Sequence, residues 1–490
     1  MIKFLFRFLN KKNYGIETGI VTHRSVKNKR RKKDMRKNNV KRMTAVLLAA
    51  GMMSSLTACG GGESAPKETS APAAEKKESS ATEAVEGELV AEEGAEIEVA
   101  YWEGSTSDKE AWDELLANLQ KDHPEIKIVA QTYPSNDYPD MLDTRIAGDD
   151  WPDVMRYKYQ QLGKFKQADV MLDLSPYMSQ ESLDDISPAF LSACQYDGKL
   201  VALPHHTDTI AMFYNKRMFE EAGIRIPTSV EDGYSWEEIT DIARTLKEKY
   251  NLPYAFGGIW ENNSGYRYLP FVYMNNGALL NEAQDTVTMD SPEVLEAIQL
   301  YENWRKEDLI ANTAFSGAST TNSLFVAEQI AFTFSGSWHC SYMQENMGDK
   351  WGMTYMPMRN GKTGSDMGGN AMFAYAGTKY PKAAAIVVDY ITNAENMKTF
   401  CETGSFIPVR TSLLEGGIEY KAFQDEMKIL NEIVGTIDPK LAADETSVAF
   451  QQLNAVFNEE MDPLAVNNSA TAEDVVATCQ ERMTEVLQEQ

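Results

Sequence analysis

A strand–helix–strand pattern early in the chain constrains its fold more than any other feature. Glu96–Trp102 alternates apolar and polar residues, as a half-buried strand does. Asp108–His123 then places apolar side chains three and four residues apart, which is typical of an amphipathic helix. Ile126–Val129 reads as the next strand. Because strand, helix and strand in this order form the βαβ unit, we predict an α/β fold with parallel strands.

Later segments repeat the alternation of short strands and amphipathic helices. The length of 490 residues predicts two to three domains, and 43% hydrophobic residues exclude wholesale disorder. The clearest further elements are helices at Pro292–Lys306, Pro381–Asn393 and Ala472–Leu487, and strands at Val201–Leu203, Ile210–Tyr214, Ile330–Phe334 and Ala371–Ala376.

The amino terminus has the pattern of a signal peptide. A basic region ending at Arg42 precedes the uncharged stretch Met43–Ala58, which is short for a transmembrane helix. The following Cys59 completes a motif that resembles the lipobox of bacterial lipoproteins, and the resemblance implies a diacylated Cys59 that anchors the chain in a membrane. The alternative is a plain secretory signal with an incidental cysteine. We interpret 1–58 as the signal region and expect translation to start at Met35.

Residues 59–96 are interpreted as a lipid-anchored flexible linker. Gly60–Glu96 is rich in Gly, Ser, Ala, Pro, Glu and Lys and contains no aromatic residue. Such a composition buries too little apolar surface to offset the entropy lost on ordering.

Charge is distributed unevenly along the chain. The first 58 residues carry 15 Lys and Arg against 2 Asp and Glu, whereas the remainder carries 32 bases and 71 acids. Nucleic-acid affinity is built from phosphate neutralisation, so a body this acidic argues against nucleic-acid binding.

Several motifs, weak singly, occur in a family-like order between Ile97 and Arg410. Tyr214-Asn215-Lys216, Ala222-Gly223-Ile224 and Ser235-Trp236-Glu237-Glu238 resemble the signature of bacterial extracellular solute-binding proteins, in particular the carbohydrate-binding branch related to maltose-binding protein. The segment around Glu231–Tyr234 and the chain after Arg410 depart from the pattern. The other landmarks are Pro152–Val154, Gly198–Pro204, Ala327–Phe332, Ser335–Trp338, Gly368–Asn370 and Gly404–Arg410.

The resemblance implies a two-lobe, type II-like periplasmic-binding-protein fold with a hinged interlobe cleft. We expect chain crossings near Thr207–Thr209 and Gly368–Phe373. Lobe 1 is then expected to comprise 97–207 and 371–432, and lobe 2 to comprise 208–370 and 433–490.

Carbohydrates combine apolar ring faces with many hydroxyls, so aromatic side chains, carboxylates and amides are expected to bind them. The resemblance implies that Asp208 accepts a sugar hydroxyl and that Trp338 stacks on a sugar ring. The full set of expected ligand-binding residues is Trp102, Glu103, Tyr157, Asp208, Trp260, Glu261, Asn262, Tyr266, Trp338, Gly369 and Asn370.

Other chemistries have little support in the sequence. His205 and His206 are adjacent, and neighbours on a strand point to opposite faces, so we expect a structural role rather than metal binding. Hydrolase, P-loop and dinucleotide motifs are absent from the sequence, and no cofactor is expected. An aromatic-rich cleft without a basic cluster argues against anionic ligands. We expect free thiols at Cys194, Cys340, Cys401 and Cys479, although spacing alone does not decide whether any pair is bridged.

These observations predict a monomeric, lipid-anchored receptor on the extracytoplasmic face of the cell membrane. It would capture a sugar or oligosaccharide and deliver it to the permease of an ABC transporter, without enzymatic activity. One alternative is the same fold holding a polyamine, metal chelate or peptide. Another is a surface glycoside hydrolase, since a suitable pair of carboxylates is not excluded by the sequence.

Overall fold

The computed structural model describes residues 89–135, 137–317 and 321–489. The signal region at 1–58 and the expected acylation site Cys59 lie outside these residues. Within the described part of the chain, no helix has both the length and the apolar character needed to cross a membrane.

The strands form two main sheets and one short hairpin. The five-stranded sheet has the order β2-β1-β3-β11-β6, the four-stranded sheet has the order β10-β7-β9-β8, and β4 pairs with β5. In chain order the strands are β1 (Glu96–Glu103), β2 (Lys127–Pro134), β3 (Val154–Lys158), β4 (Gln195–Tyr196), β5 (Lys199–Leu200), β6 (Leu203–His206), β7 (Ile210–Asn215), β8 (Phe256–Gly258), β9 (Phe332–Gly336), β10 (Trp351–Thr354) and β11 (Asn370–Ala374).

Helices cover both sheets. The α-helices are Thr106–Asp122, Tyr138–Ala147, Gly163–Gln167, Gln180–Asp184, Pro188–Ala193, Lys216–Ala222, Trp236–Tyr250, Leu269–Met274, Pro292–Lys306, Thr321–Val326, Cys340–Met347, Pro381–Thr392, Ala394–Gly404, Thr411–Gly416, Gln424–Val434, Pro439–Glu445, Phe450–Asn467 and Ala472–Gln488. Short 3₁₀ turns span Tyr159–Gln161, Ser175–Tyr177, Val230–Asp232, Gly265–Tyr268, Ser337–His339 and Gly348–Lys350.

The five-stranded sheet defines lobe 1 and confirms the predicted strand–helix–strand unit. β1 runs parallel to β2 and β3, whereas β11 is antiparallel to β3 and β6. The helix between β1 and β2 starts two residues earlier than predicted because Ser105 caps it, accepting the backbone N–H of Asp108 at 3.1 Å. The strand predicted at Val201–Leu203 is shifted toward His206.

The four-stranded sheet defines lobe 2. β7 is antiparallel to β9 and β10, and β8 lies parallel to β9. The predicted helix Pro292–Lys306 is confirmed with the same bounds. Ser235 and Glu238 form the expected capping box, and Gly223 ends its helix in the left-handed region at φ 69°.

The folded body begins earlier in the chain than the expected linker boundary at 96. Leu89 and Ala91 pack against the core of lobe 1. The Glu92 carboxylate accepts the backbone N–H groups of Lys382 and Ala383 at 2.9 and 3.0 Å, at the start of a helix. N–H groups in the first turn of a helix have no acceptor within the helix, and the Glu92 carboxylate supplies one. The segment from Leu89 onward is therefore held against lobe 1.

Three passages of the chain meet where the lobes join. The Thr207 backbone N–H donates to the Ile407 carbonyl at 2.8 Å, and the Ile407 N–H donates back at 3.1 Å. The Thr207 hydroxyl donates to the Gly368 carbonyl at 2.9 Å. The chain leaves the five-stranded sheet after β6 and enters the four-stranded sheet at β7, with residues 207–209 between them.

The helix Gln424–Val434 packs on lobe 2, which differs from the expected extension of lobe 1 to residue 432. Its buried Met427 and Leu430 join a cluster with Phe213 of β7 and Met353 of β10. The apolar side chains of the helix lie along one of its faces and pack on the sheet formed by β7 and β10. Because burial of this face stabilises the helix there, the helix belongs to lobe 2.

Candidate functional site

Arg267 lies at the centre of a buried polar cluster at the junction of the lobes. It belongs to the 3₁₀ turn Gly265–Tyr268, just before a helix of lobe 2. Its Nη1 donates to Asp366 Oδ2 at 3.1 Å, and its Nη2 approaches Asp208 Oδ1 at 3.4 Å. One guanidinium is therefore shared by two carboxylates, and each of them lies on a segment that crosses between the lobes.

Trp338 stacks on this guanidinium. The Arg267 Cζ lies 4.1 Å from the centroid of the indole ring, within the range of a cation–π contact. A Cβ on Gly336 would come within 1.9 Å of the indole, so the ring lies directly against the glycine that ends β9. Trp338 is partly exposed while Asp208 is buried, and both contact Arg267. The two residues with the most specific expected roles therefore come together in the structure.

Glycines on the second crossing set the position of Asp208. A Cβ on Gly368 would lie 2.0 Å from Asp208 Oδ1. Gly369 has φ 97°, and its Cβ would lie 2.3 Å from the His206 carbonyl oxygen. Gly369 was expected to allow a close approach of the backbone to a ligand. In the structure its lack of a side chain lets the backbone of this segment approach the backbone at His206 and Thr207.

The lobe 1 side of the junction begins with Trp102 at the end of β1. The Arg156 guanidinium stacks 4.2 Å from the Trp102 ring centroid, and its Nη1 donates to the Trp102 carbonyl at 2.8 Å. Asp108 pairs with the same guanidinium at 3.1 Å and accepts the Gly104 N–H at 2.8 Å. A buried ion pair thus supports Trp102 from below. Glu103, which follows, is partly exposed and lies 3.6 Å from the Lys109 ammonium.

Lys158 ends β3 and reaches toward lobe 2. Its Nζ lies 5.8 Å from the ring centroid of Tyr266, which is buried and also contacts the Arg267 guanidinium at 5.1 Å. The hydroxyls of Ser107 on lobe 1 and Ser341 on lobe 2 are 3.4 Å apart. The two lobes are therefore in contact around the cluster.

Burial and mutual charge alter the titration of these groups. Burial and the nearby Asp208 raise the pKa of Asp366 to about 6, although Arg267 opposes the shift. Burial would lower the pKa of Arg267, but the attraction of Asp366 and Asp208 raises it above its ordinary value. Burial, reinforced by Arg267, lowers the pKa of Lys158 to about 8. At pH 7 Arg267 and Lys158 are therefore cations and Asp366 is a carboxylate.

A third acid lies beside the cluster. Glu445 Oε2 accepts the Met367 N–H at 3.0 Å and the Gln160 amide N–H at 3.1 Å. Burial and the Asp366 charge raise the pKa of Glu445 well above its ordinary value. The Gln160 amide also donates to the Met367 carbonyl at 2.7 Å, so lobe 1 is bonded to the crossing segment here.

Tyr157 is a core residue rather than a cleft residue, contrary to expectation. It is fully buried and packs against Tyr138, Phe165 and Phe373 at ring-centroid distances of 5.5, 4.7 and 5.9 Å. Side chains alternate along a strand, so the residues beside Tyr157 point to the opposite face. One of them, Lys158, is the residue that reaches the junction.

The expected loop at 260–262 does not join the Arg267 cluster either. Trp260 is buried in the lobe 2 core against Tyr268 and Phe334. Glu261 is also buried and accepts the Thr321 hydroxyl at 2.9 Å. Asn262 is exposed in a left-handed turn at φ 59°, which asparagine tolerates well.

Asn370 is committed to a buried network in lobe 1. With its amide oriented to satisfy its neighbours, the oxygen accepts from His206 Nε2 at 3.0 Å and Arg156 Nη2 at 3.3 Å, and the nitrogen donates to the Gly369 carbonyl. His205 and His206 are buried, and burial lowers the pKa of both well below the usual range. Within the ranges the structure describes, no cluster of three metal-ligating side chains occurs.

Sequence reasoning missed Arg267, Asp366 and Lys158. Arg267 lies between two tyrosines, Tyr266 and Tyr268. Asp366 lies two residues before the Gly368–Asn370 motif of the family. Lys158 directly follows Tyr157 in the sequence. Because neighbouring side chains of a strand point to opposite faces, an expectation that Tyr157 lies in the core would have placed Lys158 at the junction. Two cations, Arg267 and Lys158, lie at the junction, and Arg267 is paired with Asp208 and Asp366.

Two of the larger cavities lie outside this cluster. One of about 570 Å³ is bounded by Met274, Met358 and Ile437, and another of about 430 Å³ by Trp236 and Arg244. Their lining residues include none of the cluster residues; loop residues line most of the first cavity, and helix residues line most of the second.

Sequence comparison gives related proteins of moderate similarity. The chain is 25% identical over 301 residues to the maltotriose-binding protein of Pyrococcus abyssi, covering 59% of this chain and 61% of that protein. It is 24% identical over 392 residues to the galactooligosaccharide-binding protein of Bacillus subtilis, covering 76% of this chain and 82% of that protein.

Structural comparison supports the two-lobe fold. The GacH receptor of Streptomyces glaucescens, whose structures include a complex with acarbose, superposes with a TM-score of 0.69 at 21% identity, covering 81% of this chain and 99% of the receptor. The binding protein Lmo0181 of Listeria monocytogenes, solved with cycloalternan, gives 0.68 at 19% identity, covering 80% and 99%. The chain thus has the two-lobe periplasmic-binding-protein fold.

The strongest link is to a family. The family described as bacterial extracellular solute-binding protein matches residues 114–428, which is more than half of the chain. This chain therefore belongs to the bacterial extracellular solute-binding proteins.

Proposed function

We propose that this protein captures a sugar or oligosaccharide outside the cytoplasm and delivers it to the permease of an ABC transporter. The observation that carries the proposal is the convergence of Trp338, Arg267 and Asp208 at the junction of two lobes. Relatives named for maltotriose and galactooligosaccharide binding support the same conclusion.

The chemistry of the cluster suits a saccharide. Trp338 and Trp102 are partly exposed rings that suit the C–H faces of a pyranose. Asp208 and Arg267 supply a charged acceptor and charged donors for hydroxyl groups, and such hydrogen bonds are about twice as strong as neutral ones. Rings and charges at one place match the alternation of apolar faces and hydroxyls in a sugar.

Hinge motion at the three crossings would give the ligand access. Opening separates Lys158 and Ser107 of lobe 1 from Tyr266 and Ser341 of lobe 2, which now lie in contact. A sugar held by residues of both lobes favours the closed form, because it contacts both only when they meet. The closed form then presents both lobe surfaces to the permease in one geometry.

The proposal includes an extracytoplasmic location and a lipid anchor at Cys59. Two acyl chains hold a protein stably on a membrane, and a flexible linker leaves the lobes free to reorient. Metabolic labelling with a radioactive fatty acid tests the anchor. Wild-type protein should be labelled, a Cys59→Ala variant should not, and equal labelling of both would contradict the anchor. We propose a monomer, which sedimentation tests directly.

We also propose that the protein performs no covalent chemistry. Asp208 and Asp366 share the Arg267 guanidinium, so neither is a free acid poised over an open site. Incubation with oligosaccharides followed by chromatography should return them unchanged, and product formation would favour a glycoside hydrolase instead.

A thermal-shift screen tests the ligand class. Saccharides should raise the midpoint of unfolding, because a ligand that binds only the native state stabilises it, whereas polyamines, metal chelates and peptides should not. Stabilisation by one of those classes alone would contradict the proposal.

Two variants then test the site. Asp208→Asn should weaken sugar binding by about 10- to 100-fold, since a hydrogen bond to a charged group is worth about 1.5–3 kcal/mol. Asp197→Asn is the matched control, because Asp197 is exposed in a turn at φ 48° away from the cluster. Equal affinity of the two variants would show that Asp208 does not contact the sugar.

A further inference from the structure

Trp102 of lobe 1 and Trp338 of lobe 2 are the partly exposed tryptophans of the site, and both stack on an arginine. The Arg156 guanidinium lies 4.2 Å from the ring centroid of Trp102. The Arg267 guanidinium lies 4.1 Å from the ring centroid of Trp338. Both arginines are buried, and each forms an ion pair with a buried carboxylate at 3.1 Å. The same arrangement therefore occurs once on each lobe.

Both arginines are also bonded to the segment 366–370, which leads from lobe 2 into β11 of lobe 1. Arg267 Nη1 donates to Asp366 Oδ2 at the start of this segment, at 3.1 Å. Arg156 Nη2 donates to the side-chain oxygen of Asn370 at its end, at 3.3 Å. Each tryptophan is therefore linked, through one arginine, to the same crossing of the chain.

Arg156 holds Trp102 by more than the stack. Its Nη1 donates to the Trp102 carbonyl at 2.8 Å, so one guanidinium contacts both the backbone and the indole of this residue. Tyr138 packs on the indole as well, with the two ring centroids 5.1 Å apart. Arg156 is 1% exposed, so a sugar between the lobes would meet the partly exposed indole rather than the guanidinium. We therefore expect Arg156 to affect binding through Trp102.

We propose that Arg156 is a positioning residue for sugar binding, which holds Trp102 as a second stacking ring opposite Trp338. The inference rests on the proposed sugar-binding function and adds to it a residue that acts through another. An indole that is fixed before the sugar arrives loses little conformational freedom on binding, so its stacking contributes more to the affinity. A saccharide that touches both rings contacts both lobes, which favours the closed form.

A double-mutant cycle separates positioning from a purely structural role. The probe is whichever of maltotriose, cellotriose and raffinose binds most tightly in calorimetry. Trp102→Ala should weaken its binding by about tenfold, the value of one stacked ring. Arg156→Lys keeps the charge beside Asp108 but loses the planar stack, so affinity should fall by about threefold or more. In the Trp102→Ala background, Arg156→Lys should cause no further loss.

Three outcomes would overturn the inference. An equal loss from Arg156→Lys in both backgrounds would mean that Arg156 does not act through Trp102. Unchanged affinity of Trp102→Ala would show that this ring does not touch the sugar, and the proposed function would stand. If none of the three saccharides binds, the inference fails, and the proposed function fails with it only if the whole thermal-shift screen is negative as well.

Arg410→Lys is the matched control, since Arg410 is another buried arginine of lobe 1. Its Nε donates to the Thr392 carbonyl at 2.9 Å, and its Nη1 lies 3.5 Å from an Asp185 carboxylate oxygen. This variant should bind the probe as wild type does, and a loss equal to that of Arg156→Lys would overturn the positioning role. Unfolding midpoints without sugar show whether each variant is folded.

A second variant keeps the test decisive if Arg156→Lys does not fold. Arg156→Gln combined with Asp108→Asn replaces the buried ion pair by two neutral amides, so no unpaired charge is left in the core. It should also weaken binding by about threefold or more, and only while Trp102 is present. A loss that persists in the Trp102→Ala background would overturn the inference here too.

Discussion

The Arg267 guanidinium lies 4.1 Å from the centre of the Trp338 indole and is held there by two buried carboxylates. The stack joins the partly exposed ring of Trp338 to the crossing segments that carry Asp208 and Asp366. A ligand that touches Trp338 therefore acts on the same charged group that holds the crossings together.

Replacing Arg267 should be costly for stability. Arg267→Met leaves two buried carboxylates without their counter-charge, and breaking a buried pair in this way costs about 3–5 kcal/mol. Urea unfolding of the variant should show a loss of this size. The double variant Arg267→Met with Asp366→Asn should recover part of it, because one unpaired carboxylate is then removed. No recovery would mean that Asp366 does not depend on Arg267.

Gly368 should be intolerant of a side chain for a reason specific to the site. Its Cβ would lie 2.0 Å from Asp208 Oδ1, so Gly368→Ala must displace that carboxylate. We expect sugar affinity to fall by about tenfold or more, the value of one lost charged hydrogen bond. Gly364→Ala is the control in the same segment, since its Cβ would meet its nearest atom at 3.5 Å. Calorimetry of both variants measures the difference, and equal losses would contradict it.

The two Gly-x-Trp sequences show how far the sequence predicts the site. Gly258 and Gly336 end neighbouring strands, and the indoles of Trp260 and Trp338 each fold back against their glycine. The motifs look alike, but one ring enters the lobe 2 core and the other meets Arg267. Local sequence places each ring at a strand end, whereas long-range packing decides which of them is exposed.

The same distinction holds for the rest of the chain. The helix Pro292–Lys306 was predicted with its observed bounds, because periodicity and a proline at its first turn are local signals. The sequence did not predict that the helix Gln424–Val434 packs on lobe 2, because the apolar face of the helix could pack equally well on either sheet. Arg267 was missed because its role depends on Asp208 and Asp366, which lie 59 and 99 residues away along the chain.

Asp366 should make stability depend on pH in an unusual direction. Its pKa rises from 3.8 to about 6 on folding, so the native state binds the proton more tightly than the unfolded state. Its contribution to stability is fully present below pH 4 and is lost as the pH rises through 6. Urea unfolding of wild type and Asp366→Asn between pH 4 and 7 should therefore show the variant gaining stability relative to wild type as the pH rises. A constant difference would contradict the raised pKa.

The contact between Ser107 and Ser341 should allow the lobes to be locked together. Their hydroxyls are 3.4 Å apart, so cysteines at both positions can bridge after a small shift. In the oxidised Ser107→Cys, Ser341→Cys variant, a saccharide identified by the screen should bind and dissociate far more slowly than in wild type, and reduction should restore both rates. The described native cysteines, Cys194, Cys340, Cys401 and Cys479, are buried free thiols and should not compete. Each single variant under the same oxidant is the control. Rapid exchange in the fully oxidised double variant would mean that ligand enters without separation of the lobes, contrary to the hinge motion proposed for this protein.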